Sequence, residues 1–188
     1  RVSWNDPVII KPILDLAPAG IVVPMVCSGK EAAKAVKACR YPPQGIRGFG
    51  PIRNMYGIDS TEEYLSIASQ QIMVFVQVEH IDAVNNLDEI LETSGLDGIV
   101  LGRNDLSGSM GKLGQHNDPE VLEAIDTVFS KVCQTDLFLG VSIGYNAETV
   151  KEWYDKGVQW FALGDDVVHF YEGAKAVADS VHSLEKAT

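Results

Sequence analysis

Two carboxylates stand out by position. Glu79 ends the apolar run Met73–Val78 (MVFVQV), with Gln77 two residues before it. Asp105 follows the run Gly98–Leu101 (GIVL), inside GRNDLSGSMG. Acids that break an apolar pattern at the C-terminal ends of strands face the mouth of an α/β sheet, where ligands bind. The two lie one βα unit apart, and consecutive strands in such folds are usually neighbours, so both can reach one ion. With no thiolate or imidazole beside them, they favour a hard, oxygen-seeking cation such as Mg²⁺ or Mn²⁺, with Co²⁺ as a further candidate. The spacing alone is equally compatible with a solvated strand-end Glu and an Asp that caps a turn.

Other chemistries are weaker. Gly45–Gly50 (GIRGFG) has dinucleotide-like glycine spacing, yet no strand leads straight into it and no helix opens on it. Gly108, Gly111 and Gly114 make a tight backbone, but no GK[ST] follows as in a P-loop. His80 adjoins Glu79, but neighbouring residues on a strand point to opposite faces. His116 falls in a polar loop, and His169 and His182 in the last helix; all four read as structural or solvated. The three cysteines, Cys27, Cys39 and Cys133, lack a paired His and suit buried thiols of a reducing cytosol. Trp4, Trp153 and Trp160 read as packing residues.

The elements that position these residues alternate. Short, nearly continuous apolar runs at Ile21–Val26, Met73–Val78, Gly98–Leu101, Phe138–Ile143 and Trp160–Leu163 predict a parallel sheet covered on both faces. Arg1–Trp4 resembles the end of a sixth strand. Helices are predicted after the Asp6–Pro7 cap, with an apolar stripe of Val8, Ile9, Ile13, Leu14 and Leu16, over Ser28–Cys39 with a Ser/Glu capping box, and over Thr61–Gln71. Four more follow, at Ile81–Glu92, Asp118 to about Gln134, Asn146 to about Asp155, and Asp165 to about Lys186. Arg40–Ser60 and Gly102–Asn117 are too long and polar for simple connectors and read as functional loops. Periodicity alone fits a doubly wound sheet as well as a barrel.

The 188 residues suit one domain, 1–188, since no composition shift divides them. A hydrophobic fraction of 46% can fill a core. The 26 acids against 15 bases, net −11 with no basic cluster, argue against nucleic acid or anionic membrane as partners. No apolar run approaches the ~18 residues that span a bilayer, and a cytoplasmic protein is expected.

Several strings, in order and over nearly the whole chain, resemble the HpcH/HpaI family of class II pyruvate aldolases. They are Arg1–Pro7 (RVSWNDP), Val23–Val26 (VPMV), Arg40–Gly48 (RYPPQGIRG), Gln77–Glu79 (QVE), Asn86–Ile90 (NLDEI), Asn104–Ser107 (NDLS) and Ser109–Gly111 (SMG). The resemblance implies a (β/α)8 TIM barrel of the phosphoenolpyruvate/pyruvate type. It implies an aldehyde-lyase that cleaves 4-hydroxy-2-oxo acids, or 3-deoxy-2-oxo sugar acids, to pyruvate and an aldehyde. Glu79 and Asp105 would hold the divalent cation, and Arg1 would be the catalytic arginine that binds the enolate oxygen. Gln77 and Asn104 would line the pyruvate site, and Asp15 would reach a neighbouring subunit's site in a homo-oligomer, typically a hexamer that exchanges its last helix.

The residue types suit that reaction, because retro-aldol cleavage leaves an enolate that a Lewis acid and an arginine stabilise. No Schiff-base lysine is needed: Lys11, Lys30, Lys34 and Lys37 fall on predicted helices. The family's base, a His paired with an acid, precedes the RxxWNDP string. The sequence is therefore expected to lack about the first two βα units of the barrel, ~60–70 residues. Arg103, Pro51–Tyr56 and Ser142 depart from the family pattern where the aldehyde is selected, and Ser142 is counted as a substrate-binding candidate. Arg103 also raises an alternative, a lyase or decarboxylase of a 2-oxo diacid such as oxaloacetate. A non-catalytic barrel is the remaining one.

Overall fold

The computed structural model describes residues 1–185. Its centre is a parallel sheet of five strands: β1 (Gly20–Val23), β2 (Met73–Val78), β3 (Gly98–Leu101), β4 (Phe138–Ile143) and β5 (Trp160–Leu163). They lie side by side in chain order. Helices fill the crossovers: α1 (Pro7–Leu14), α2 (Gly29–Cys39), α3 (Thr61–Ile67), α4 (Ile81–Asn85), α5 (Leu87–Leu91), α6 (Arg103–Ser109), α7 (Pro119–Val132) and α8 (Ala147–Asp155), with α9 (Asp166–Glu185) last.

The strands are apolar throughout because both faces are covered, but the two faces differ. Ile21, Val23, Val76, Ile99, Leu101 and Val141 point outward and are buried among helix residues such as Ile10, Leu14, Leu87 and Val128. The alternate positions Val22, Phe75 and Val100 form a separate inner cluster with Met73 and Trp160. Glycines make room for the inner aromatics. A Cβ on Gly98 would sit 2.4 Å from the Phe75 ring, and one on Gly140 would sit 2.8 Å from Trp160. A cavity of about 580 Å³ is lined by residues of all five strands, from Val22 on β1 to Trp160 on β5, so the sheet curls around it.

Caps follow the predicted chemistry. Asp6, Ser28, Asp118 and Asn146 each accept a backbone N–H of the helix they open, and at α3 the cap is Ser60, one residue before the expected start at Thr61. The box at α2 is offset by one residue: Glu31 Oε2 accepts the Cys27 N–H rather than that of Ser28.

Several expectations are corrected. Arg1–Trp4 is not a strand; one bond, Val2 N–H to the Val22 carbonyl at 3.1 Å, ties it to β1. The Ile21–Val26 run stops at Val23, because Pro24 has no N–H to extend the ladder and Met25 turns the chain at φ +53°. On α1, Ile10 and Leu14 face the core, while Val8, Ile9, Ile13 and Leu16 are exposed. The helix predicted at Thr61–Gln71 ends at Ile67. The one predicted over Ile81–Glu92 breaks at Asn86, whose amide donates to the Cys27 carbonyl at 2.8 Å. Gly102–Asn117 holds α6 rather than only loop. Of the cysteines only Cys39 is buried; Cys27 is half-buried and Cys133 exposed, all three free thiols. Trp4 is exposed rather than packed. Lys186, the predicted end of the last helix, lies outside the described residues.

Candidate active site

The alternation along β2 that buries Val74, Val76 and Val78 outward puts Gln77, and Glu79 just past the strand, on the inner face. Both are buried, at 5% and 2% exposure. Glu79 is held at one oxygen only. Its Oε1 accepts the Met25 N–H at 2.8 Å, and its Oε2 is buried with no hydrogen-bond partner among the described residues. Gln77 Oε1 is likewise buried without a partner. Met25 is one of two non-glycine residues with positive φ among the described residues, and this unusual backbone is what aims its N–H at Glu79.

Asp105 comes from the first turn of α6, directly after β3. Gly102, between the two, has its N–H on the Val78 carbonyl at 3.0 Å. A Cβ at Gly102 would lie 2.7 Å from Gln77 Nε2 and 2.8 Å from Glu79 Oε2. Only glycine lets β3 pass so close to these side chains. The serines of the NDLSGS string tie the turn down: Ser107 Oγ donates to the Asn104 carbonyl at 2.8 Å, and Ser109 Oγ donates to the Leu106 carbonyl and accepts the Ile81 N–H at 2.9 Å. The elements carrying Glu79 and Asp105 are thereby linked.

Burial pushes the Glu79 carboxyl above its ordinary range. The Met25 N–H and the charge of Arg1 oppose the rise, and the neighbouring Asp105 carboxylate adds to it. Asp105 is thus close enough to act on the Glu79 carboxyl, and no hydrogen bond joins the two among the described residues. Neither acid forms an ion pair with a Lys or Arg within 4 Å among the described residues. Two adjoining carboxylates with a dry, unpartnered oxygen need a proton or a cation between them, and this donor set suits a hard divalent ion. No group of three or more His, Cys, Asp or Glu side chains converges among the described residues. This chain would therefore offer two carboxylates and leave other positions to water or a ligand.

Arg1, Gln77, Asn104, Asp105 and Ser142 all line the 580 Å³ cavity, and Glu79 abuts it behind Gly102. Asp15 is not among them. It caps the end of α1 and pairs with Lys11 and, at 3.1 Å, with the buried Arg47. Burial would raise its carboxyl, but these two cations hold it below the ordinary range. Of the three departures noted in the sequence, Arg103 and Ser142 line the cavity and Pro51–Tyr56 does not. His80 caps α4 through Nδ1, on the Asp82 N–H, as its structural reading implied.

Met25, Gly102 and Ser109 were not singled out for this role. Pro24 before Met25 and the glycine opening GRNDLS were the available signals, but the partners lie on other elements.

The HpcH/HpaI aldolase/citrate lyase family model matches residues 1–172. The 4-hydroxy-2-oxo-heptane-1,7-dioate aldolase of Shigella flexneri is 38% identical over 179 residues, covering 95% of this chain and 67% of that protein. Among solved structures, an HpcH/HpaI aldolase/citrate lyase family protein from Burkholderia cenocepacia J2315 superposes with TM-score 0.86 at 26% identity, over 97% of this chain and 72% of its own. The citrate synthase SbnG superposes with TM-score 0.79 at 30% identity, over 94% of this chain and 68% of its own.

Proposed function

The chain belongs to the HpcH/HpaI aldolase/citrate lyase family, and from that premise we propose that it cleaves a 4-hydroxy-2-oxo acid, or a 3-deoxy-2-oxo sugar acid, to pyruvate and an aldehyde. The observation that carries this reading is the buried Glu79 beside the exposed Asp105, with the unpartnered Glu79 Oε2 at an opening that Gly102 keeps clear. These two carboxylates would hold a divalent cation, Mg²⁺ or Mn²⁺. When bound, it supplies Lewis-acid stabilisation of the charge that develops on the pyruvate half.

The chain's own residues do the rest. Arg1 sets a fixed positive charge near Glu79 and steadies the enolate oxygen. The buried Gln77 lines the same wall and orients the 2-oxo acid, and the backbone at Asn104 meets its carboxylate. Ser142, across the cavity on β4, contacts the aldehyde half. As the C3–C4 bond breaks, its electron pair passes to the pyruvate half, and the 4-hydroxyl proton passes to a general base.

The five strands form a contiguous part of a single (β/α)8 barrel domain. The assembly is a homo-oligomer, a hexamer by resemblance. One feature supports it: α9 stands exposed along its length, with Phe170, Tyr171, Val177 and Val181 all uncovered. Among the described residues no helix is long and apolar enough to cross a membrane, and a cytoplasmic location is proposed.

The test is pyruvate release by the full-length gene product from 4-hydroxy-2-oxo acids, followed through coupled NADH oxidation. Release should stop on chelation, return with Mn²⁺ or Mg²⁺, and fall at least ~100-fold in Glu79→Gln. Release that persists under chelation or in that variant would overturn the reading.

A further inference from the structure

A second cavity, of about 270 Å³, opens between α6, α7 and α8 and gathers donors that the chain leaves unmatched. Arg103 on α6 and Lys156 at the end of α8 both pack against the ring of Trp153. The Arg103 Cζ lies 5.1 Å from the ring centroid and the Lys156 Nζ 5.7 Å. Trp153 is buried and packs in turn on Phe129 at 5.1 Å, so both cations rest on a fixed support. His116, in the loop before α7, adds a buried Nδ1 with no hydrogen-bond partner among the described residues.

The acids nearby do not answer these donors. Asp126 and Glu152 line the same cavity, yet neither lies within 4 Å of Arg103 or Lys156, and neither cation has an ion pair with any described residue. Both carboxylates are exposed, so water satisfies them. The guanidinium is half-buried and the imidazole nitrogen fully so, and desolvated donors without acceptors are costly. The unmet demand in this cavity is therefore for an anion. Packing on an aromatic face holds a guanidinium and leaves its N–H edges free, while a lysine adds a mobile point charge. The three donors come from three separate elements. That suits a tetrahedral anion, with oxygens in several directions, better than a planar carboxylate.

We propose that this cavity is a second binding site, for a phosphoryl group, carried by free phosphate or by a small phosphate ester. It goes beyond the aldolase reading and does not depend on it: none of Arg1, Gln77, Glu79, Asn104, Asp105 and Ser142 lines this cavity.

The test titrates inorganic phosphate, glycerol 3-phosphate and acetate calorimetrically into the full-length protein with saturating Mg²⁺, at ~0.1 M salt to screen diffuse attraction. At least one of the two phosphates should bind at one site per chain with a Kd below ~1 mM, and acetate at least ~10-fold more weakly. Lys156→Gln and Arg103→Gln, each folded by circular dichroism, should each weaken phosphate binding at least ~10-fold, as expected for lost hydrogen bonds to a charged group. Glu79→Gln acts in the other cavity and should leave it within ~2-fold. Tighter binding of glycerol 3-phosphate supports an ester as the occupant; tighter binding of inorganic phosphate supports the free anion. Absence of binding by both phosphates, acetate binding as tight as theirs, or affinity that survives in Lys156→Gln would overturn the proposal. So would affinity lost in Glu79→Gln, which would put the phosphate on the catalytic ion.

Discussion

The two faces of the curled sheet solve different problems with the same strands. Outward, Ile, Val and Leu from β1 to β4 meet helix residues at near-zero exposure, and the five strands are joined side by side by a parallel ladder. Inward, bulky aromatics sit over glycines, and above them Gln77 and Glu79 keep buried oxygens without partners. One face is satisfied and supplies stability. The other is left unsatisfied at one end, and that end is where a ligand has something to complete. Substitutions on the two faces should therefore separate stability from activity.

The largest effect is expected outward. Leu101 is fully buried, and Leu101→Ala should cost about 2–5 kcal/mol of unfolding free energy by chemical denaturation. A smaller loss would mean that the outer layer is not the main core. Next comes the junction of the faces. Gly102→Ala drives a methyl against Gln77 and Glu79 and should cost ~1–3 kcal/mol. It should also lower kcat disproportionately, at least ~10-fold, with little change in KM; equal loss of both would place Gly102 in packing alone.

An intermediate effect is expected at Asp15, remote from the cavity. Its carboxyl lies below the ordinary range when folded, so the stability it contributes is present at neutral pH and is lost only as pH falls through that lowered value. Asp15→Asn should therefore be less stable than the parent at pH 7 by roughly 1–3 kcal/mol, leaving the buried Arg47 poorly paired. The gap should begin to narrow at the ordinary carboxylate pKa and close as pH falls through the lowered value. A gap that persists at acid pH would show that shape, not charge, is at stake. The smallest effect is Ser109→Ala. It removes the acceptor of the Ile81 N–H and should cost about 1 kcal/mol, seen as faster amide exchange at Ile81.

What could be read from the chain divides along the same line. The strands β2 and β3 are legible because residues buried on both faces leave an unbroken apolar run, and β4 and β5 because their outward apolar residues pack on the helices. Caps were legible because a Ser, Asp or Asn acts on its own helix. Features decided by distant partners were not. Asn86 breaks a helix for the Cys27 carbonyl, Met25 turns for Glu79, and α6 is stabilised through Ser109 and Ile81 across 28 residues. The stripe on α1 was misread because exposed and buried apolar residues look alike in one dimension; Val8 and Leu16 face out. Glu79 and Asp105 stand out because acids at strand ends break a pattern, whereas Gly102 fits one.

The central claim, that the two acids share one divalent ion, is tested most directly by Mn²⁺ binding to the full-length protein, read by electron paramagnetic resonance of free Mn²⁺. The parent should take up one ion per chain. Glu79→Gln and Asp105→Asn, each folded by circular dichroism, should each weaken that uptake at least ~100-fold. Undiminished binding in either variant would contradict the account.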